Sequence, residues 1–235
     1  MSDITIGTAS TNAGRTVGPV GRAPRRAGPE AANAITHGLG SLLAIAALVI
    51  LVIAAAATGD PWKVVAYAVF GAAMVFLYTA STLYHALSFG KHTHIFEVLD
   101  HSAIFVLIAG TYTSFALTIL RPTSGWWLFG AVWAIAVVGI VLESLFLNRK
   151  PLVSLIAYLA MGWLIVAVWK DFVTAAPAAT VTFLIAGGLA YTVGTLFYAI
   201  GKRKPWFHPV WHLFVLAGTA CHFFAALAAL PALAA

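Results

Sequence analysis

Five residues of this chain have types and spacing that could do chemistry: Ser81, His85, Asp100, His208 and His212. All of them fall at the ends of otherwise apolar segments. An ionisable side chain inside a membrane segment costs about 2.5–3.5 kcal/mol on insertion scales, so its presence is a functional hypothesis by default. Neutral imidazole is a good zinc ligand, and three imidazoles converging at one depth make a candidate metal site. His208 and His212 stand at i, i+4, as do Ser81 and His85, so each pair shares a helix face. For any one histidine there is also a structural reading. Near a helix end it can snorkel or bond a neighbouring carbonyl, and the His208-Pro209 step makes His208 an entry residue.

The elements that must position these residues are membrane helices. The chain has 235 residues, 62% hydrophobic and 9% charged, a composition foreign to a soluble globule. Apolar runs of about 18 or more residues read as transmembrane helices. Seven are expected, over 34–57, 64–88, 98–120, 126–147, 152–169, 178–200 and 210–230, with the fifth the shortest. The breaks carry turn or charge signals, such as Gly59-Asp60-Pro61, Asn148-Arg149-Lys150-Pro151, Lys170-Asp171 and Lys202-Arg203-Lys204-Pro205. The expected architecture is an all-α bundle of seven transmembrane helices.

Charge orients the bundle. Arg15, Arg22, Arg25, Arg26, Lys91, Arg149, Lys150, Lys202, Arg203 and Lys204 fall on one side, ten of the 13 basic residues, against Lys63, Arg121 and Lys170 on the other. The positive-inside rule then makes the N-terminus cytoplasmic and puts the C-terminus outside. The net charge of +6 is accounted for by topology. A nucleic-acid partner would need basic residues gathered on one surface with interleaved aromatics, and they are not so arranged. In this orientation His85 is about five residues from the inner end of span two, roughly 7 Å at 1.5 Å per residue. Asp100 stands in the first turn of span three, and His208 opens span seven. Separate helices therefore bring three imidazoles, a carboxylate and a hydroxyl to the cytoplasmic leaflet.

Residues 1–30 are rich in Gly, Ala, Thr, Pro and Arg without apolar periodicity, and read as a disordered basic cytoplasmic tail ahead of a membrane domain over 31–235. Arg25-Arg26 resembles a twin-arginine signal, but the segment that follows is long and lacks a small-residue cleavage pattern, so it reads as a retained span. The single cysteine, Cys221, lies inside span seven and allows no intramolecular disulfide. Asn33 and His37 form another i, i+4 pair, read as hydrogen bonding at the start of span one. Glu143 is expected to pair with a loop base. His92 and His94 fall in a loop, and His101 is turned about 100° from Asp100. His222 lies about 15 Å along the helix from His212, too far to share a metal. Trp62, Trp126, Trp127, Trp169 and Trp206 fit an interfacial belt.

Four segments carry a resemblance to a known family: Ala32-Asn33-Ala34-Ile35-Thr36-His37-Gly38, Ser81-Thr82-Leu83-Tyr84-His85, Leu99-Asp100-His101-Ser102-Ala103-Ile104 and His208-Pro209-Val210-Trp211-His212-Leu213-Phe214. Together, and in this order, they resemble the hemolysin III family. That is the bacterial branch of the superfamily holding the progestin and adiponectin receptors and the alkaline ceramidases. The resemblance runs from about residue 31 to the end. It implies seven membrane helices, a cytoplasmic N-terminus, and a zinc ion held by His85, His208 and His212, with Ser81 and Asp100 as companions. It also implies a bacterial plasma membrane location.

Three protein ligands with an open fourth position is the catalytic zinc arrangement. Zinc lowers the pKa of water to about 7 and polarises carbonyls. Asp100 is suited to act as general base or orienting group, and Ser81 to donate to an oxyanion. A site just below the headgroups suits a lipid amide or ester, so membrane lipids are the expected partners. Two other readings use the same residues: a pore or channel haemolysin, and a lipid-binding receptor whose zinc is structural. A water-filled pore should be polar through both leaflets. The outer halves of these spans offer only hydroxyls, such as Thr111, Tyr112, Thr113 and Ser114, and His222.

Overall fold

In lipid, every backbone N–H and C=O must find its partner inside the segment, which leaves long apolar runs one solution, the helix. The computed structural model describes residues 26–146 and 151–230. It contains α1 (Ala27–Ala56), α2 (Pro61–Ala86), α3 (Thr93–Ala116), α4 (Gly125–Phe146), α5 (Pro151–Gly162), a 3₁₀ turn (Leu164–Val168), α6 (Trp169–Ala175), α7 (Ala178–Gly201) and α8 (Phe207–Ala228). Seven helical segments are long and apolar enough to cross a membrane, the fifth being Leu152–Ala175. Among the described residues there is no strand.

Local chemistry sets the ends. Before α2, Gly59 takes φ 69°, the Asp60 carboxylate accepts from the Trp62 N–H at 2.9 Å, and Pro61 occupies the first helical position, where its missing N–H costs nothing. Four helices begin three or more residues earlier than hydropathy alone suggests: α1 at Ala27, α2 at Pro61, α3 at Thr93 and α8 at Phe207. The starts of α1 and α8 carry Glu30 and His208, which line one interior cavity, and Thr93 at the start of α3 bonds the Leu87 and Gly90 carbonyls, so apolar content underestimates these ends. Residues 27–30, read from sequence as tail, are thus the first turn of α1. The rest of the expected tail, residues 1–25, lies outside the described residues, as do Arg149 and Lys150.

Span five is also corrected. Lys170-Asp171 is not a break, because both residues belong to α6; the interruption falls earlier, between Gly162 and Trp169. There the Tyr112 hydroxyl of α3 donates to the Gly162 carbonyl at 2.7 Å and accepts from the Ile165 N–H at 2.8 Å. One side chain thereby satisfies backbone groups on both sides of the interruption, as backbone at membrane depth requires.

Helix α1 packs on α2 and α8, α2 on α3, α3 on α4, and α7 on α8. Close approach of α1 and α2 depends on Gly71, where a Cβ would come within 2.9 Å of the Leu48 Cα; small residues at helix contacts are the usual device in membranes. The opposite face of α1 is apolar and exposed, with Ile35, Leu42, Leu43 and Ile53, as a lipid-facing surface should be. Trp62, Trp126, Trp127 and Trp206 are exposed at helix ends, consistent with the expected belt. This chain order gathers the start of α1, the end of α2, the start of α3 and the start of α8 at one end of the bundle.

Candidate metal centre

His85 is the penultimate residue of α2, and Ser81 lies one turn before it on the same face. His208 and His212 occupy the first two turns of α8. Each of the three histidines offers a ligand nitrogen, and these nitrogens lie within 4.8 Å of one another. Ring centroids are 5.2 Å apart for His85 and His208, 5.0 Å for His85 and His212, and 4.8 Å for His208 and His212. His85 and His212 are buried, at 4% and 1% exposure. Asp100 lies in the third turn of α3, deeper in its helix than the first turn expected from sequence, because α3 starts at Thr93.

The five residues singled out in the sequence line one cavity of about 140 Å³. Asp100 Oδ2 is 3.9 Å from His101 Nδ1, and that nitrogen is 2.9 Å from the Glu97 carbonyl. His101 also lines the cavity, nearer Asp100 than simple helical rotation suggests. A second, apolar cavity of about 460 Å³ adjoins the first: Leu77, Ile104, Trp211 and Val215 line both.

Helix α1 faces the histidines with four polar residues. Glu30 Oε2 lies 2.6 Å from His85 Nδ1, and Asn33 Nδ2 lies 3.3 Å from the same nitrogen. Thr36 Oγ1 and the Asn33 carbonyl lie 3.1 and 3.3 Å from His212 Nδ1. The His37 ring stacks on His212, centroids 3.6 Å apart and planes at 8°. Asn33 and His37 therefore do not serve a helix N-terminus, as their sequence position suggests. They sit in the second and third turns of α1, against the cluster.

Whether this set fits a metal is tested by His85 itself. Its Nε2 is buried and has no hydrogen-bond partner, while its other nitrogen is held by Glu30. A buried imidazole nitrogen without a partner is costly, and a cation within its reach would satisfy it. The donor set, three imidazoles, could hold a metal ion of intermediate softness.

Other sequence candidates fall elsewhere. His222 lines the apolar cavity, with Nε2 3.4 Å from the Leu184 carbonyl, the bundle-bonding role expected of it. Glu143 is buried and accepts from the Ser154 hydroxyl at 2.5 Å, so its partner comes from the next helix. His94 belongs to the first turn of α3 and His92 precedes it. Sequence reasoning missed Glu30, Thr36 and Tyr112. For Glu30 a signal was present: it stands at i−3 from Asn33 and i−7 from His37, so the three share one helical face.

Seven membrane-length helices with a histidine cluster at one end define a multi-pass membrane protein with a candidate metal centre. The chain belongs to the Haemolysin-III related family, whose model matches residues 26–223. It is 48% identical over 198 residues to "Hemolysin-3 homolog" of Bacillus subtilis, covering 84% of this chain and 92% of that one. It is 44% identical to "Hemolysin-3" of Bacillus cereus, covering 84% and 90%. A more distant likeness, 28% over 83% of this chain and 82% of the other, links it to the human "Monocyte to macrophage differentiation factor". No solved structure matches.

Proposed function

We propose that this protein is a zinc-dependent hydrolase of a lipid amide or ester, acting near the cytoplasmic leaflet of a bacterial plasma membrane. The observation that carries the reading is the shared cavity. Three histidines, a carboxylate and a hydroxyl from separate helices line one polar chamber, and that chamber adjoins a larger apolar one.

His85, His208 and His212 would hold the zinc, which when bound supplies Lewis acidity that acidifies water and polarises a carbonyl. Asp100 lines the same chamber and serves as general base, taking a proton from the attacking water and returning it to the leaving amine or alcohol. Ser81 donates its O–H to the oxygen that gains negative charge as the carbonyl is attacked. The apolar walls supplied by residues such as Leu107, Ile108 and Phe115 hold a lipid tail and keep water from it. The same walls speak against a water-filled conduit, which needs polar lining along its length.

Asp100→Asn keeps size and hydrogen bonding but cannot accept a proton. Its expected cost is about 10²–10⁴-fold in turnover, with zinc content unchanged. The measurement is a screen of amide and ester lipids with purified wild-type protein and this variant, read by product mass. Wild-type protein that holds zinc but cleaves none of these lipids, and passes ions in planar bilayers, would replace the hydrolase reading with the pore.

A further inference from the structure

We infer that Glu30 is a positioning residue of the metal centre: its carboxylate fixes the His85 imidazole in the tautomer that leaves the Nε2 lone pair to bind a metal. The inference rests on the metal reading above and goes beyond it, because it gives a role to a helix that contributes no ligand.

A neutral imidazole has one N–H and one lone pair, and only the lone-pair nitrogen can bind a metal. Which nitrogen that is depends on what the other one bonds. A carboxylate accepts and does not donate. With Glu30 Oε2 2.6 Å from His85 Nδ1, the proton belongs on Nδ1, since two lone pairs at that distance would repel. The lone pair is then on Nε2, the nitrogen that is buried without a partner. Asn33 fits the same arrangement. Its Oδ1 is buried and unpartnered while Nδ2 faces His85 Nδ1 at 3.3 Å. Turning the amide over gives Oδ1 a share of the Nδ1 proton and changes the shape of the side chain little.

His212 is treated alike. The Thr36 hydroxyl reaches the Ala32 and Asn33 carbonyls, each at 2.9 Å, so its proton is committed there. Its oxygen is left to accept from His212 Nδ1 at 3.1 Å. Helix α1 thus sets the tautomer of one histidine from α2 and one from α8. Glu30 does this with charge, and its side chain is 15% exposed beside a His85 side chain that is 3% exposed. A carboxylate there would offset the charge of a dication held nearby. Glu30 is not itself a ligand in this arrangement, because it holds the nitrogen that points away from Nε2.

The test uses the full chain in detergent, with zinc affinity measured by competition against a chromophoric chelator and the site examined by cobalt(II) absorption. Outer-shell partners of metal-bound histidine are typically worth about 10–100-fold in metal affinity. Glu30→Ala is expected to lose about that much, and Glu30→Gln, which keeps an accepting oxygen, to recover part of it. The cobalt spectrum of Glu30→Ala is expected to shift, while the metal-free variant melts with metal-free wild type. Wild-type protein that binds neither zinc nor cobalt overturns the metal reading and this inference with it. Wild type that binds zinc while both variants hold it equally tightly, with unchanged cobalt spectra, overturns the inference alone. If Glu30→Ala does not fold, Glu30→Gln decides: unchanged affinity and spectrum count against the role, and a weakened site with a shifted spectrum supports it.

Discussion

His85 is a membrane histidine with its two nitrogens in opposite circumstances. One is bonded to a carboxylate, the other buried with nothing to bond. His222 also pairs a bonded nitrogen with a buried unpartnered one, so what sets His85 apart is the carboxylate on its Nδ1 together with two further imidazoles within reach of one ion. About one zinc per chain is therefore expected in purified protein, with most of it lost in His85→Ala, His208→Ala or His212→Ala. His222→Ala should keep it, since that ring bonds the Leu184 carbonyl in the other cavity. Elemental analysis of the four variants checks this, and full zinc in the first three would remove the centre. The grouping of His85, His208 and His212 was legible in sequence because i, i+4 spacing and matched depth constrain residues on separate helices. Thr36 was not, and Glu30 was marked only by its spacing from Asn33 and His37. Their roles depend on how α1 is rotated against α2 and α8, and a one-dimensional hydropathy profile carries no such angle. His37, stacked on His212 with both nitrogens buried and unpartnered, was hidden for the same reason.

At the scale of elements, span count follows from composition, whereas the ends and interruptions of spans follow from tertiary contacts. Helices α1 and α8 extend past their apolar runs because polar residues near their starts have partners or a shared cavity inside the bundle, as Glu30 does in His85, whereas α3 is extended by Thr93, which bonds the Leu87 and Gly90 carbonyls of the preceding turn. The fifth span looked short because Lys170 and Asp171 resemble a terminus, yet the chain remains helical through them to Ala175. Its real interruption depends on one hydroxyl from another helix, which no local pattern announces. Tyr112→Phe removes that hydroxyl and leaves the Gly162 carbonyl and the Ile165 N–H without their bond. An unsatisfied buried backbone group costs about 1–3 kcal/mol. The variant should melt at a lower temperature in detergent, with faster amide exchange confined to residues 163–168. An unchanged melt and exchange pattern would mean that the 3₁₀ turn holds itself.

Among the described residues, seven helices are long and apolar enough to cross a membrane, and seven crossings would place the two ends on opposite sides. All four residues of α1 that face the histidine cluster, the end of α2, the start of α3 and the start of α8 share one end, so the side on which that end lies decides where the chamber opens. Basic residues argue for the cytoplasm, because ten of 13 fall in segments on that side, and loop Lys and Arg set orientation more strongly than acidic residues do. Reporter fusions after Gly90, Lys150 and Arg203 are expected to register as cytoplasmic. Fusions after Asp60, Pro122 and Pro177 should register as external; Pro177 lies beyond the end of α6, so that junction leaves the helix whole. A fusion after Ala235 should also be external. If every reporter inverts, the cluster faces outward, and a lipid of the outer leaflet becomes the substrate to seek. If only the Arg203 and Ala235 reporters invert, α7 does not cross. His208 and His212 would then enter from the side opposite His85, and no single metal could join them.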